Sequence, residues 1–279
     1  MKILYTLFLF IPIFSYAQSA WLPEEGRFNF GTVYVYETYD EFYLGGDHSD
    51  YPFEEFEQNS LLFNLDYGFS DLIAFDLTFG YTDSEANIAD VTGYDGDDGL
   101  LDTRIGVRYQ LLNEFLDESF LASTLSVRFG LIIEGSYDTG FHAAPGDGGS
   151  GYELSLHLGK IFTEHDFGIQ AALGFRDRNK GIPSEIFGNI NLFYNFWGGK
   201  LLVYTGYDFN ESLSGINIDD PLFTIDQFPE TKESSHNLQY GLVYNVNDKM
   251  SLGLSYAHTI SGRNTPDKNV VALSLNFSF

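Results

Sequence analysis

Val271-Ala272-Leu273-Ser274-Leu275-Asn276-Phe277-Ser278-Phe279 is a strict two-residue alternation that ends on an aromatic side chain. Large apolar groups stand at Val271, Leu273, Leu275, Phe277 and Phe279, with small or polar residues between them. A strand carrying this pattern has one apolar face and one small or polar face. In a soluble sheet such a strand would leave Phe277 and Phe279 at a fraying end. In an outer-membrane β-barrel it turns its apolar face to lipid and sets the aromatic at the interface girdle. The stretch therefore points to an all-β, transmembrane, antiparallel up-and-down barrel.

The opposite end of the chain agrees. Lys2 makes a short positive region, Ile3 to Phe14 an apolar one, and Ser15-Tyr16-Ala17 a small-x-small cleavage site. Residues 1–17 are expected to be a signal peptide and 18–279 the barrel, placed in the outer membrane. The sequence has no cysteine, so it can carry neither a disulfide nor a lipid on an N-terminal cysteine. After residue 17 no run reaches the ~18 apolar residues of a membrane helix. Yet 27 Phe and 19 Tyr are present, many near the ends of alternating stretches, as aromatic girdles require. The formal charge of −26 comes from 40 acidic against 14 basic residues, which excludes nucleic acid as a partner because its phosphates would be repelled. Much of the acid falls between 39 and 57 and between 83 and 102, in Gly- and Tyr-rich stretches that read as solvated loops.

Twelve alternating stretches are expected as strands, at 27–37, 59–68, 71–82, 100–111, 121–134, 151–162, 166–177, 185–196, 200–209, 235–246, 250–260 and 268–279. Each is long enough to cross a membrane at the usual tilt. Short turns at 68–71, 163–166, 197–200 and 245–249, and a longer one at 112–120, alternate with long segments at 38–58, 83–99, 135–150, 178–184, 210–234 and 261–267. That is the short-turn, long-loop rhythm of a membrane barrel. Leu222-Phe-Thr-Ile225 could add a pairing, which leaves ten or fourteen strands open as alternatives. Gln18 to Gly26 is too short to form a globular plug, so the lumen is filled by inward side chains, infolded loops or water.

The same alternation assigns the inner faces. Asp66 and Asp76 point inward from the second and third strands, and Asp102, Arg104, Arg108 and Gln110 from the fourth. Ser126, Arg128 and Glu134 follow from the fifth, Glu153, Ser155 and His157 from the sixth, and Gln170 and Arg176 from the seventh. Arginines among carboxylates in a confined lumen serve as a charge ladder or as a constriction that screens solutes. Asp102, Glu134 and Glu153 are the expected partners of Arg104, Arg108 and Arg128. Catalytic constellations are poor. His142 is followed by two alanines, Ser150 lies in a Gly-rich loop, and His48-Ser-Asp50 and Ser234-Ser-His236 read as ordinary loop composition. Asp95, Asp97 and Asp98 supply oxygens suited to calcium but lack the full loop pattern, so no metal and no cofactor is expected.

Several segments, in order along the chain, resemble an outer-membrane transporter-like family named for the meta pathway of phenol degradation. Ala20-Trp-Leu-Pro-Glu-Glu-Gly26 is similar to its lead into the first strand, and Tyr67-Gly-Phe-Ser-Asp-Leu-Ile73 to its turn between the second and third. Asp98-Gly-Leu-Leu-Asp102 with Arg104-Ile-Gly-Val-Arg-Tyr109 is similar to its approach to the fourth strand, although Leu101 stands where the family has Gly. Pro145-Gly-Asp-Gly-Gly-Ser-Gly-Tyr152 is similar to the end of its third external loop. Leu273, Leu275, Phe277 and Phe279 also resemble the terminal signal read by the barrel-assembly machinery. The resemblance implies a non-enzymatic channel or facilitator for small, hydrophobic or aromatic solutes, with membrane lipid and the assembly machinery as partners. The alternative is a closed structural or adhesive barrel whose acidic external loops bind cations.

Overall fold

The computed structural model describes residues 19–50, 55–86, 96–116, 122–141 and 144–279. The expected signal peptide, Asp95 and His142 lie outside them. In chain order the strands are β1 (Phe28–Tyr39), β2 (Glu41–Leu44), β3 (Asp47–Asp50), β4 (Phe56–Ser70), β5 (Ile73–Glu85), β6 (Gly96–Leu100), β7 (Thr103–Leu112) and β8 (Thr124–Ile133). Then follow β9 (Gly151–Phe162), β10 (Phe167–Arg178), β11 (Glu185–Phe196), β12 (Leu201–Ser212), β13 (Ser234–Asn247), β14 (Met250–Arg263), β15 (Thr265–Pro266) and β16 (Asn269–Ser278).

Each long strand pairs antiparallel with its neighbour, and β1 pairs with both β4 and β16, so the sheet closes on itself. β6 and β7 both pair with β5 and act as one strand interrupted at Leu101-Asp102, which makes a closed barrel of twelve. The seam is tight to the last residue: the Phe28 and Phe279 backbones exchange hydrogen bonds of 3.2 and 2.9 Å. Closure leaves no free sheet edge, which is the condition for strands to cross a membrane with every backbone group satisfied.

The side chains are arranged inside out relative to a soluble protein. On β9, Leu154, Leu156 and Leu158 are about half exposed, while Glu153, Ser155 and His157 between them are buried. β16 repeats the pattern, with Val271 and Leu273 outward and Ala272, Ser274 and Ser278 buried, and Phe279 just after it is also exposed. Apolar groups outside and polar groups inside suit lipid around the wall and a packed lumen within. Stacked aromatic pairs ring the short-turn end, among them Phe28–Tyr67, Phe162–Phe167 and Phe277–Phe279.

Three details depart from the sequence-based expectations. Residues 41–50, read as loop, form the β2–β3 hairpin around Gly45-Gly46, whose positive φ angles of 57° and 103° suit a two-residue turn. This hairpin pairs with β15 as a second, three-stranded sheet at the long-loop end. Leu222 to Ile225 adds no strand; the segment turns into a short 3-10 helix, Ile225–Glu230. Fifth-strand pairing stops at Ile133, which leaves Glu134 beyond the wall rather than on its inner face.

Candidate functional site

Inside the barrel, charges alternate in sign along one wall. Arg108 donates to both Asp66 oxygens and lies 4.0 Å from Asp76. Arg128 forks onto Asp76, with Nη2–Oδ1 at 2.7 Å and Nε–Oδ2 at 3.1 Å, and its Nη1 donates to Glu153. Glu153 is also approached by Arg176 at 3.4 Å and Arg104 at 3.9 Å. Arg176 continues to Glu185 at 3.0 Å, Glu185 to Arg178 at 3.0 Å, and Arg178 to Asp147 at 2.8 Å. The ladder therefore climbs from β4 through β11 and ends in the 135–150 loop. Its middle is sealed from solvent: Arg108, Arg128 and Glu153 are no more than 2% exposed. A guanidinium in so dry a place needs carboxylates on more than one side, and its planar fork supplies the matching geometry.

Local sequence makes room for this packing. Gly106 and Gly130 stand directly opposite each other on β7 and β8, and both approach the Arg128 guanidinium. A β-carbon on Gly106 would stand 2.5 Å from Arg128 Nε, so a larger residue would evict the arginine from between its acids. Arg176 lies over the Phe187 ring at 4.8 Å, a cation–π contact on the inner face.

The segment before β1 enters the lumen at the short-turn end. Arg108 Nη1 donates to the Ser19 and Trp21 carbonyls at 2.8 and 3.4 Å, and Trp21 Nε1 donates to Glu114 at 2.8 Å. Ala20 is fully buried. Trp21 rests over Gly159, where a β-carbon would come within 2.6 Å of the indole, and meets the Phe193 edge at 6.2 Å. It joins an inward apolar cluster of Ile161, Phe193, Leu202, Tyr204 and Val243. Thus the segment leading into β1 straps the lumen.

At the long-loop end, residues 135–150 fold inward. Tyr137 Oη donates to Asp102 at 3.0 Å and accepts from Gly148 N at 3.1 Å. Burial and the adjacent Asp102 carboxylate push the Tyr137 hydroxyl pKa up. Phe141 packs with Tyr39, Phe56 and Ala86, three inward residues at the tops of their strands. The lumen thus has an apolar cluster at each end and a polar middle. The wall opposite the ladder is lined mainly by amides and hydroxyls: Gln239 donates to Asn191 at 2.8 Å and Thr259 to Asn237 at 2.8 Å. Asn237 in turn donates to Asp208 at 2.8 Å, and Glu37 pairs with Lys268 at 3.2 Å toward the long-loop end.

Of the candidates read from the sequence, Asp66, Asp76, Arg104, Arg108, Arg128, Glu153 and Arg176 come together in the ladder. Asp102 and Glu134, expected to partner the arginines, do not. Asp102 sits at the β6–β7 interruption and holds Gly135 N and Tyr137, and Glu134 pairs with Lys180 at the mouth. The ladder also contains Glu185, Arg178 and Asp147, which the sequence reading left out. Glu185 and Arg178 share parity with the inward residues of their strands and could have been found that way. Asp97 and Asp98 bond in different directions, to Asp138 N and Tyr81 Oη, so they do not converge on an ion. Ser150 Oγ accepts from Glu134 N at 3.2 Å, a loop contact rather than a nucleophile beside a base.

A family profile described as "Putative MetA-pathway of phenol degradation" matches residues 49–275. Among solved structures, an outer membrane channel from Pseudomonas putida F1 matches with TM-score 0.69 at 14% identity, over 93% of this chain and 98% of that one. The transport unit of the autotransporter AIDA-I from Escherichia coli matches with TM-score 0.51 at 11% identity, over 98% and 94%. At such identities these likenesses establish the fold. No curated protein matches the chain by sequence.

Proposed function

The chain belongs to the family described as putative MetA-pathway of phenol degradation, and on that premise we propose that it is an outer-membrane channel or facilitator for small hydrophobic or aromatic solutes. The observation that carries the reading is the pair of inward apolar clusters, Tyr39, Phe56 and Phe141 at one mouth and Phe193, Tyr204 and Trp21 at the other. Apolar, aromatic-lined sites with a few polar groups suit neutral ring compounds and desolvate an ion at a cost. The charge ladder acts as a brace in this account. Its central members are paired and buried, which leaves the amide- and hydroxyl-lined wall as the side along which a solute passes. The long loops face outward and the strap faces the periplasm, with residues 1–17 directing export. The protein carries out no chemistry on its solute.

Uptake by cells with an intact outer membrane tests this. A deletion strain should take up a small neutral aromatic more slowly than the complemented strain, with no difference for a charged analogue of equal size. Equal rates for the neutral compound would contradict the proposal. A second reading, a closed structural barrel, is favoured by the strap and the filled charged wall, and it predicts that equality.

A further inference from the structure

We propose that the small sheet at the long-loop end holds a divalent transition-metal ion of the zinc class between Glu41, His48 and Asp267. Tyr43 of β2 lies opposite His48 of β3, and the diagonal neighbour Glu41 projects from the same face of the hairpin. Asp267 follows β15 and is fixed beside Glu41 by its own N–H, which donates to the Glu41 carbonyl at 3.0 Å. One ligand atom from each side chain lies within 4.8 Å of the other two. His48 Nε2 stands 2.8 Å from Asp267 Oδ2 and 3.4 Å from Glu41 Oε2. Around a tetrahedral ion with bonds near 2.0–2.1 Å, neighbouring ligand atoms are about 3.3 Å apart. The His48–Glu41 spacing already fits, the His48–Asp267 spacing has to widen by about half an ångström, and rotation of the two carboxylates would complete the set.

Charge and burial point the same way. Neither Glu41 nor Asp267 pairs with a lysine or arginine among the described residues; their ionic partners are histidines, and the Tyr43 hydroxyl also donates to Asp267 Oδ2 at a long 3.5 Å. The adjacent Lys268 reaches away, to Glu37 at 3.2 Å. Two carboxylates therefore converge on an imidazole without a permanent cation between them. Asp267 Oδ1 is buried without a hydrogen-bond partner and faces the likewise buried Nδ1 of His258 at 3.6 Å. A histidine behind a ligating carboxylate is the outer support that metal sites use to fix a ligand's orientation. An imidazole with carboxylates suits zinc and its neighbours, whereas calcium and magnesium prefer all-oxygen sets. The consequence is mechanical: Glu41 and His48 belong to the first long loop and Asp267 to the last, so the ion would clip together the loops on either side of the β1–β16 seam.

The test is titration of the folded full-length barrel in detergent with zinc chloride, by calorimetry, with heat-dependent gel mobility as the check of folding. The wild type should show one saturable zinc site that excess magnesium does not displace. His48→Ala and Glu41→Gln should each bind about tenfold more weakly or worse, and His165→Ala should bind as the wild type does. X-ray absorption of the zinc-loaded wild type should show an imidazole with oxygen ligands, independently of any variant. Absence of saturable zinc binding by the wild type, unchanged affinity in both folded variants, or a shell without imidazole would overturn the proposal.

Discussion

Arg128 shows how much of the barrel depends on single side chains. It bridges Asp76 and Glu153 in a space that Gly106 and Gly130 leave open. Arg128→Ala would leave two buried carboxylates facing each other, and losing one partner of a buried ion pair costs about 3–5 kcal/mol. The thermal or urea midpoint in detergent should fall accordingly, and adding Asp76→Asn and Glu153→Gln should recover much of the loss. An Arg128→Ala barrel as stable as the wild type would remove the brace from the account. Glu233 makes a second residue-scale prediction. Burial, with Asp147 nearby, pushes its carboxyl up to about 7 from the ordinary 4.5, while Thr265 Oγ1 donates to it at 2.7 Å. Its pKa is raised on folding, so the stability it contributes is complete below the unfolded value and lost as pH rises through the folded one. The unfolding midpoint of the wild type should therefore drop between about pH 4.5 and 7 more than that of Glu233→Gln, which keeps an acceptor for Thr265 and cannot ionise. Parallel pH profiles would show that Glu233 does not hold the extra proton.

At the scale of elements, strands were legible where the two faces differ in chemistry. Leu154, Leu156 and Leu158 against Glu153, Ser155 and His157 set the faces of β9 without ambiguity, because a slip of one residue would put acid into lipid. Legibility ended where an element depends on a distant partner. The β2–β3 hairpin lies in an acidic stretch and is anchored by β15, more than 200 residues away. The Ser19–Trp21 strap exists because Arg108 and Glu114 hold it and Gly159 admits the indole, none of which its own sequence encodes. The β6–β7 interruption was hidden because Leu101 and Asp102 continue the alternation while Asp102 is drawn to Gly135 and Tyr137. The terminal strand carries its own prediction. Phe279 ends the seam through its bonds to Phe28 and stacks on Phe277 at 6.2 Å. Deleting it, or Phe279→Asp, should lower the amount of heat-modifiable barrel recovered in the outer membrane. Normal recovery would mean that the last aromatic plays no part in assembly.

The whole molecule is an inside-out barrel whose lumen is bounded by a strap at one end and an infolded loop at the other. The wall turns its apolar face outward, the ladder braces one side, and the apolar clusters are the proposed determinants of which solutes enter. Trp21 lies across the lumen at the short-turn end, packing against Phe193 and donating to Glu114. Trp21→Ala removes the indole without touching the ladder or the seam, so the barrel should fold normally and the mouth should widen. Planar-bilayer recording of the two proteins measures this directly. A strapped channel should give small or rare openings as the wild type and larger, more persistent ones as Trp21→Ala, whereas a silent membrane with both folded proteins would show that the barrel is closed whether or not the indole is present.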